Sequence, residues 1–183
     1  LLHHSKDIKK YENLYGELRK LQDKGIIKKI GISIYSPSEL DDLIPLYKFD
    51  IVQTPLNILD RRIVDTGWIE RLSGLGIEIH TRSCFLQGLL LLKNHERPLY
   101  FNRWRDIFEK WDSYLEKNNF DPLGVCLKYP LSFKAINRVI VGVDDYNQFN
   151  QILLTLNDID GLSIPDIKAN DYKLINPSEW IFK

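Results

Sequence analysis

Polar side chains with catalytic or binding chemistry recur along this 183-residue chain directly after its hydrophobic, β-branched segments. These positions are His3-His4, Ser33, Gln53, Arg82 through Gly88, and Gly142 through Asp145. Imidazole exchanges protons near neutral pH, and Ser, Gln and Arg side chains hydrogen-bond substrates or phosphate groups. If the segments are parallel strands of an α/β barrel, their C-terminal ends meet at one face of the molecule. The pattern therefore predicts one polar site at that face.

The adjacent histidines, His3 and His4, raise the question of a metal site. Barrel metal sites usually take two histidines spaced by one residue, together with carboxylates from other strand ends. Adjacent residues on a strand point to opposite faces, and only His80 and Asp144 are placed to assist. The sequence therefore predicts no metal site. The simpler alternative for His3 is a hydrogen bond to a neighbouring carbonyl group.

Strand-like and helix-like patterns alternate along the chain. Runs rich in β-branched residues predict strands at 26–34, 50–54, 77–81 and 138–142, after the end of an earlier strand at 1–4. Apolar spacing and capping residues predict helices at 11–21, 37–47, 68–75, 101–115, 122–129 and 149–156. Gly25 and Gly76 mark helix ends, Ser36 through Glu39 has the form of a capping box, and Asp121-Pro122 has the form of a cap.

Such alternation predicts parallel strands with helices on the outside. The regular spacing of the strands favours a barrel, and a five-stranded doubly wound sheet is the alternative. Gly74-Leu75-Gly76 does not support dinucleotide binding of the Rossmann type, because it precedes a strand instead of following one. Those glycines are interpreted as the end of a helix.

Composition narrows the class of protein. Lys and Arg together number 25, as do Asp and Glu, and this balance argues against a nucleic-acid or anionic-membrane partner. Two cysteines are too few for a disulfide framework, and the longest apolar run, Leu89–Leu92, is too short to span a membrane. We therefore expect a soluble cytoplasmic protein. The chain has no Met and opens within an apolar run, so we expect that its natural start lies upstream.

Five separated blocks resemble the aldo-keto reductases in order and spacing, over essentially the whole chain. The blocks are Leu1-Leu2-His3-His4, Gly31-Ile32-Ser33, Val52-Gln53 with Asn57 through Asp60, Arg82 through Leu90, and Val141-Gly142. The resemblance implies a (β/α)8 TIM barrel, of which residues 1–183 form the C-terminal part, strands four to eight, of a single domain. It also implies the NAD(P)H-dependent reduction of an aldehyde or ketone to an alcohol by hydride transfer.

The resemblance also assigns roles to individual residues. His3 matches the catalytic histidine that orients and polarises the carbonyl oxygen, while the family's Asp, Tyr and Lys belong to strands that this sequence lacks. Ser33 and Gln53 match the residues that hydrogen-bond the nicotinamide carboxamide. Ile34 stands where the family usually has Asn, so one amide anchor is either lost or replaced by a residue elsewhere in the protein. Arg82 matches a position where many members stack an aromatic ring on the nicotinamide, and a guanidinium plane can also stack.

The remaining cofactor contacts implied by the resemblance lie in two loops. The loop expected to cover the pyrophosphate and ribose contains Ser83, Phe85, Leu86, Gln87 and Gly88, and the adenosine end matches Gly142, Asp144 and Gln148. The family points to NADP(H). Asp144 and Asp145 instead favour NAD(H), because a carboxylate repels a 2′-phosphate and accepts a hydrogen bond from a free ribose hydroxyl. The alternative is that one of these two residues only caps the last helix.

Two functions therefore stay open at this point. The first is a nicotinamide-dependent reductase of a small-molecule carbonyl compound, whose catalytic Asp, Tyr and Lys precede this sequence, so that residues 1–183 by themselves lack activity. The second is a non-catalytic half-barrel that binds or scaffolds and covers its open strand edges by self-association. The sequence identifies neither the substrate nor the oligomeric state.

Overall fold

The computed structural model describes residues 1–11 and 13–181, which form two compact units. Unit 1 comprises Leu1–Pro55, Arg62–Arg82 and Lys134–Val139. Unit 2 comprises Leu56–Arg61, Ser83–Phe133 and the described chain from Ile140 onwards.

A parallel sheet forms the centre of unit 1. Its strands are β1 (Gly31–Ser33), β2 (Ile51–Pro55), β3 (Glu78–Arg82) and β4 (Ile136–Val139). They lie side by side in chain order, and every neighbouring pair is parallel. A doubly wound sheet would reverse its strand order at a switch point, and the described strands show no reversal. The fold is therefore an incomplete (β/α)8 barrel, as predicted.

The predicted strand end at 1–4 is reduced to a single parallel bridge between Leu2 and Ile32. Leu2 donates its N–H to the Gly31 carbonyl group and accepts from the Ser33 N–H, both at 2.8 Å. This pairing aligns the segment that carries His3 with β1.

One predicted strand was too long and another was displaced along the chain. The run 26–34 forms a strand only at Gly31–Ser33, and the run 138–142 is replaced by Ile136–Val139. A strand extends only as far as its neighbour pairs with it. β3 ends at Arg82, because Ser83 turns to a left-handed φ of 64°. Gly142 therefore follows β4 instead of ending it.

The helices of unit 1 are α1 (Ser5–Lys10), α2 (Leu14–Asp23), α3 (Glu39–Leu43), α4 (Arg62–Asp65) and α5 (Trp68–Gly74). Gly25 and Gly76 have φ values of 70° and 71° just after α2 and α5, which confirms both as left-handed helix ends. On the sheet, alternate residues such as Ile32, Val52 and Ile79 are fully buried.

Gly31 lies where β1 and β2 approach each other closely. A Cβ atom at this position would overlap Leu1 Cδ2 and would lie 2.9 Å from both Cβ and the carbonyl oxygen of Ile51. We expect Gly31→Ala to lower the free energy of unfolding by about 1 to 3 kcal/mol, measured by urea denaturation. Gly16→Ala is the control, because Gly16 lies inside α2 with nothing within 4 Å of the added Cβ. That change should stabilise by about 0.5 to 1 kcal/mol, and equal stability of the two variants would contradict the close approach.

Unit 2 is helical. It contains α6 (Arg105–Asn118), α7 (Pro122–Leu131), α8 (Tyr146–Thr155) and α9 (Tyr172–Ile175), with 3-10 turns at Leu89–Leu91, Asn94–Glu96, Leu99–Trp104 and Pro177–Glu179. Asp121 accepts a hydrogen bond from the Leu123 N–H at 3.1 Å, which confirms the predicted cap of α7. Trp111, fully buried on α6, donates from Nε1 to the Leu90 carbonyl group at 3.0 Å. Among the described residues, none of the helices combines the length and apolarity that a bilayer crossing needs.

Candidate functional site

Ser33, Gln53 and His80 form one row across the sheet of unit 1. They are register partners on β1, β2 and β3, so their side chains share one face. Ser33 Oγ donates to Gln53 Oε1 at 3.3 Å, and Ser33 is almost fully buried. Within residues 1–11 and 13–181 the Gln53 amide nitrogen has no hydrogen-bond partner. The row therefore presents a fixed amide with an available donor.

His80 extends this row to an ionic pair. Its Nε2 lies 3.3 Å from Glu78 Oε2, and Glu78 also pairs with Lys29 Nζ. The hydrogen bond from Lys29 lowers the pKa of Glu78, so the carboxyl group is ionised at neutral pH. The sequence suggested His80 only as an assistant to a metal. Glu78, His80 and Arg82 are alternate residues of β3, so all three lie on the same face of the sheet as Gln53. This alternation is visible in the sequence.

A chain of ring contacts connects two of the predicted residues, His3 and Arg82. His3 Nδ1 lies 2.9 Å from His4 Nε2, and the His4 ring stacks on Tyr35 with centroids 5.5 Å apart and planes 13° apart. The Arg82 guanidinium group lies 4.7 Å from the centroid of the same Tyr35 ring and donates to the Ile34 carbonyl group at 3.1 Å. These roles of His4 and Tyr35 were not predictable from the sequence, because ring contacts between distant segments leave no local pattern.

Tyr35 is held in place by its backbone as well. Glu39 Oε1 accepts from the N–H groups of Tyr35 and Ser36, both at 2.7 Å, and Arg62 Nη2 donates to the Tyr35 carbonyl group at 3.1 Å. This is the carboxylate half of the predicted capping box. Ser36 Oγ instead pairs with Ser38 Oγ at 2.9 Å.

In unit 2, the segment from Ser83 to Gly88 has an unusual backbone. Ser83, Leu86, Gln87 and Gly88 have φ values of 64°, 47°, 54° and 80°. Non-glycine residues in the left-handed region cost roughly 1 to 3 kcal/mol each and persist where surrounding contacts fix them, often at ligand sites. The N–H groups of Gln87 and Gly88 donate to no backbone carbonyl group in the described part of the chain. The segment therefore offers two adjacent donors.

Asn57 fixes the start of this segment. Its fully buried side chain donates from Nδ2 to the Ser83 carbonyl group at 3.1 Å. Its Oδ1 accepts from the N–H groups of Leu59 at 3.0 Å and Asp60 at 2.9 Å. Asn57 lies in one of the blocks that resemble the aldo-keto reductases, but the sequence alone predicted no role for it. Asn57 is therefore a structural support of the loop.

The side chains of the loop differ in exposure. Leu86 is fully buried, Phe85 is half-buried and Gln87 is exposed. A ligand would therefore meet the backbone of Leu86 and not its side chain. Burial raises the pKa of the Cys84 thiol to about 12 and also raises that of Cys126. Both thiols stay protonated at neutral pH, and neither is an activated nucleophile.

The start of α8 separates the two candidate acids. Asp145 is the N-cap of α8 and accepts from the Gln148 N–H at 2.8 Å, while Gln148 Oε1 accepts from the Asp144 N–H at 2.9 Å. Asp145 is therefore the residue that caps the N-terminus of α8. Asp144 is exposed, as are Gly142 and Gln148.

The predicted site residues thus fall into two groups. Unit 1 holds His3, Ser33, Gln53 and Arg82, all at or just beyond the sheet, and unit 2 holds Ser83, Phe85, Leu86, Gln87, Gly88, Gly142, Asp144 and Gln148. Among the described residues, no group of three or more His, Cys, Asp or Glu side chains is arranged to hold a metal ion.

Comparison with known proteins gives one family. The sequence profile of the Aldo/keto reductase family matches residues 1–171. No similar sequence was found among curated proteins.

Similar solved structures include the holo form of an aldo-keto reductase from Bacillus halodurans, with a TM-score of 0.63 and 17% identity over 84% of this chain and 52% of that one. A glycerol dehydrogenase from Gluconobacter oxydans gives a TM-score of 0.55 and 17% identity over 82% and 49%. At these identities the likeness shows the fold. The chain spans about half the length of the solved structures that it matches.

Proposed function

The chain belongs to the aldo/keto reductase family, and from that premise we propose that it forms part of an NAD(P)H-dependent oxidoreductase that reduces a small-molecule aldehyde or ketone. Residues 1–183 are proposed to be the C-terminal part of one barrel domain. The family's Asp, Tyr and Lys would then come from strands that this sequence does not contain. The buried, unpaired Cys84 and Cys126 support a reducing, cytoplasmic setting.

The observation that carries the proposal is the geometry of Gln53. A carboxamide such as that of nicotinamide both donates and accepts hydrogen bonds. Ser33 holds the acceptor oxygen of Gln53, and this leaves the amide nitrogen to donate to a ligand. The side chains present therefore fit a nicotinamide carboxamide. The adjacent N–H donors at Gln87 and Gly88 suit the oxygens of a pyrophosphate.

When bound, a reduced nicotinamide supplies a hydride to the carbonyl carbon of the substrate. His3 would donate a hydrogen bond to the carbonyl oxygen, where negative charge develops in the transition state. Its Nδ1 is occupied by His4 Nε2, so Nε2 is the nitrogen left to bond a substrate. For Nε2 to carry the proton, His4 must be the donor in the pair. His4 therefore sets the tautomer of His3.

The adenosine end of the cofactor would be held in unit 2 by Gly142, Asp144 and Gln148. The family pattern favours NADP(H). Because Asp145 caps α8, the exposed Asp144 is the carboxylate left to meet a ribose hydroxyl, and it favours NAD(H).

Fluorescence titration with NADH and NADPH tests the proposal. We expect saturable binding of at least one of them, and about tenfold weaker binding by Gln53→Leu, which removes the amide at similar volume. Gln151→Leu, on the exposed side of α8, is the matched control and should bind like the wild type. Absence of binding to the wild-type protein would reject the proposal.

Absence of binding would favour the alternative, a non-catalytic half-barrel that acts as a binding or scaffold module and associates with a second copy of itself. The observation behind it is the apolar surface of α8, where Tyr146 and Leu154 are 73% and 69% exposed. Unpaired apolar surface of this kind marks contact sites in many proteins.

A further inference from the structure

Unit 2 contains a cavity of its own, with a volume of about 360 Å³. Ligand pockets for small molecules typically have volumes of about 300 to 1,000 Å³. The lining residues come from the turns Asn94–Glu96 and Leu99–Trp104, from Arg97 between them, and from the first two turns of α6. They are Asn94, Arg97, Phe101, Asn102, Arg105 and Phe108.

One part of the lining is aromatic and firmly packed. Phe101 and Phe108 are 2% and 3% exposed, and their rings meet edge to face with centroids 6.2 Å apart. Buried rings in such contact hold fixed positions. They form an apolar wall against which a flat ligand can pack.

Arg97 supplies a buried cation with an unused donor. Its side chain is 4% exposed, Nη1 donates to Asp112 at 2.7 Å, and Nη2 donates to Asp112 and to the Leu92 carbonyl group. The guanidinium group lies 4.6 Å from the centroid of the Phe108 ring. Its Nε is buried and has no acceptor within residues 1–11 and 13–181. Buried N–H groups are nearly always paired, so this atom indicates a missing acceptor.

The other polar groups of the lining add further donors, and the two asparagine amides among them also carry an acceptor oxygen. Arg105 is exposed and uses only Nε, toward Glu109, among the described residues. The amides of Asn94 and Asn102 are exposed and make no hydrogen bond within that part of the chain. None of the six lining residues is acidic. The lining therefore favours a ligand with negatively charged acceptor oxygens.

We propose that this cavity binds a small aromatic carboxylate. The carboxylate group would accept one hydrogen bond from Arg97 Nε and others from the Nη groups of Arg105, whose planar guanidinium group matches its geometry. The ring of the ligand would pack on Phe101 and Phe108. The proposal is independent of dinucleotide binding.

Benzoate is the probe, and its binding to the whole protein is followed by isothermal titration calorimetry. We expect saturable binding that weakens at least about tenfold in Arg105→Gln, because a charged hydrogen-bonding partner is lost. Arg103→Gln is the matched control. Arg103 is the same residue type two positions away, and it contacts the rings of Tyr100 and Trp104 without lining the cavity.

Two further ligands and one further variant test whether binding requires the charge and the ring of the ligand and a lining without carboxylates. Benzyl alcohol, which lacks the charge, and inorganic phosphate, which lacks the ring, should both bind more weakly than benzoate. Asn102→Asp adds a carboxylate to the lining without disturbing the buried Arg97–Asp112 pair, and should also weaken benzoate binding. No benzoate binding to the wild type, equal affinity of Arg105→Gln, or equal binding of either comparison ligand would overturn the proposal.

Discussion

Replacing Asn57 by leucine should lower the free energy of unfolding by about 3 to 5 kcal/mol, because each buried polar group left without a partner costs about 1 to 3 kcal/mol. The change removes the acceptor for the N–H groups of Leu59 and Asp60 and the donor to the Ser83 carbonyl group. Leucine has a similar size, so the effect comes from the lost hydrogen bonds and not from a cavity. Guanidinium denaturation followed by circular dichroism measures it.

The control for this variant is Asn118→Leu. Asn118 is an exposed residue at the end of α6 with a single bond from Nδ2 to the Tyr114 carbonyl group, and its replacement should change stability by no more than about 0.5 kcal/mol. If Asn57→Leu were equally mild, Asn57 would not be the support of the loop. Because that loop offers the Gln87 and Gly88 donors, weaker NADH or NADPH binding should accompany the loss of stability.

The second large effect concerns turnover. If the proposed function holds, His3→Ala in the full-length protein should lower kcat by about a hundredfold or more, as is found when a donor to a developing oxyanion is removed. Cofactor affinity should stay unchanged, since the proposed contact is with the carbonyl oxygen. Steady-state kinetics and an NADPH titration separate the two quantities. An unchanged kcat would remove His3 from the mechanism.

His4→Phe tests the proposed positioning role of the neighbouring ring. Phenylalanine can retain the stacking on Tyr35 but lacks the nitrogen that lies 2.9 Å from His3 Nδ1. Its kcat should therefore fall between those of the wild type and His3→Ala, whereas His4→Gln, which keeps a donor, should recover part of the loss. His95→Ala, at an exposed histidine in the turn Asn94–Glu96, is the control and should leave kcat unchanged.

Local signals predicted much of this fold correctly. Gly25 and Gly76 end helices because glycine adopts a left-handed φ without steric strain, and Asp121 caps α7 because a carboxylate accepts from the first free N–H groups. Such signals act over three or four residues, and the sequence contains them in full. The parallel arrangement also followed, because alternating strands and helices leave few other topologies.

Features that depend on distant partners were not predictable in the same way. The length of β4 depends on where β3 ends, and that depends on the backbone of Ser83. The first part of the predicted helix 101–115 is a 3-10 turn, Leu99–Trp104, although its apolar spacing is helical. Of the candidate site, the order of polar residues on the sheet was predictable from strand alternation. The ring contacts among His4, Tyr35 and Arg82 were not, since they join three separate segments.

The sheet of unit 1 draws its last strand from a distant part of the chain. β1, β2 and β3 follow one another with only short helical connections, whereas β4 pairs with β3 only after the polypeptide has passed through Ser83–Phe133, which belongs to unit 2. Closing this longer loop costs somewhat more conformational entropy than closing the connections between β1, β2 and β3, and that cost precedes any compensating strand contact. Contact order is therefore lowest for the first three strands and highest for the last pair, and the sheet should assemble during folding from β1 towards β4.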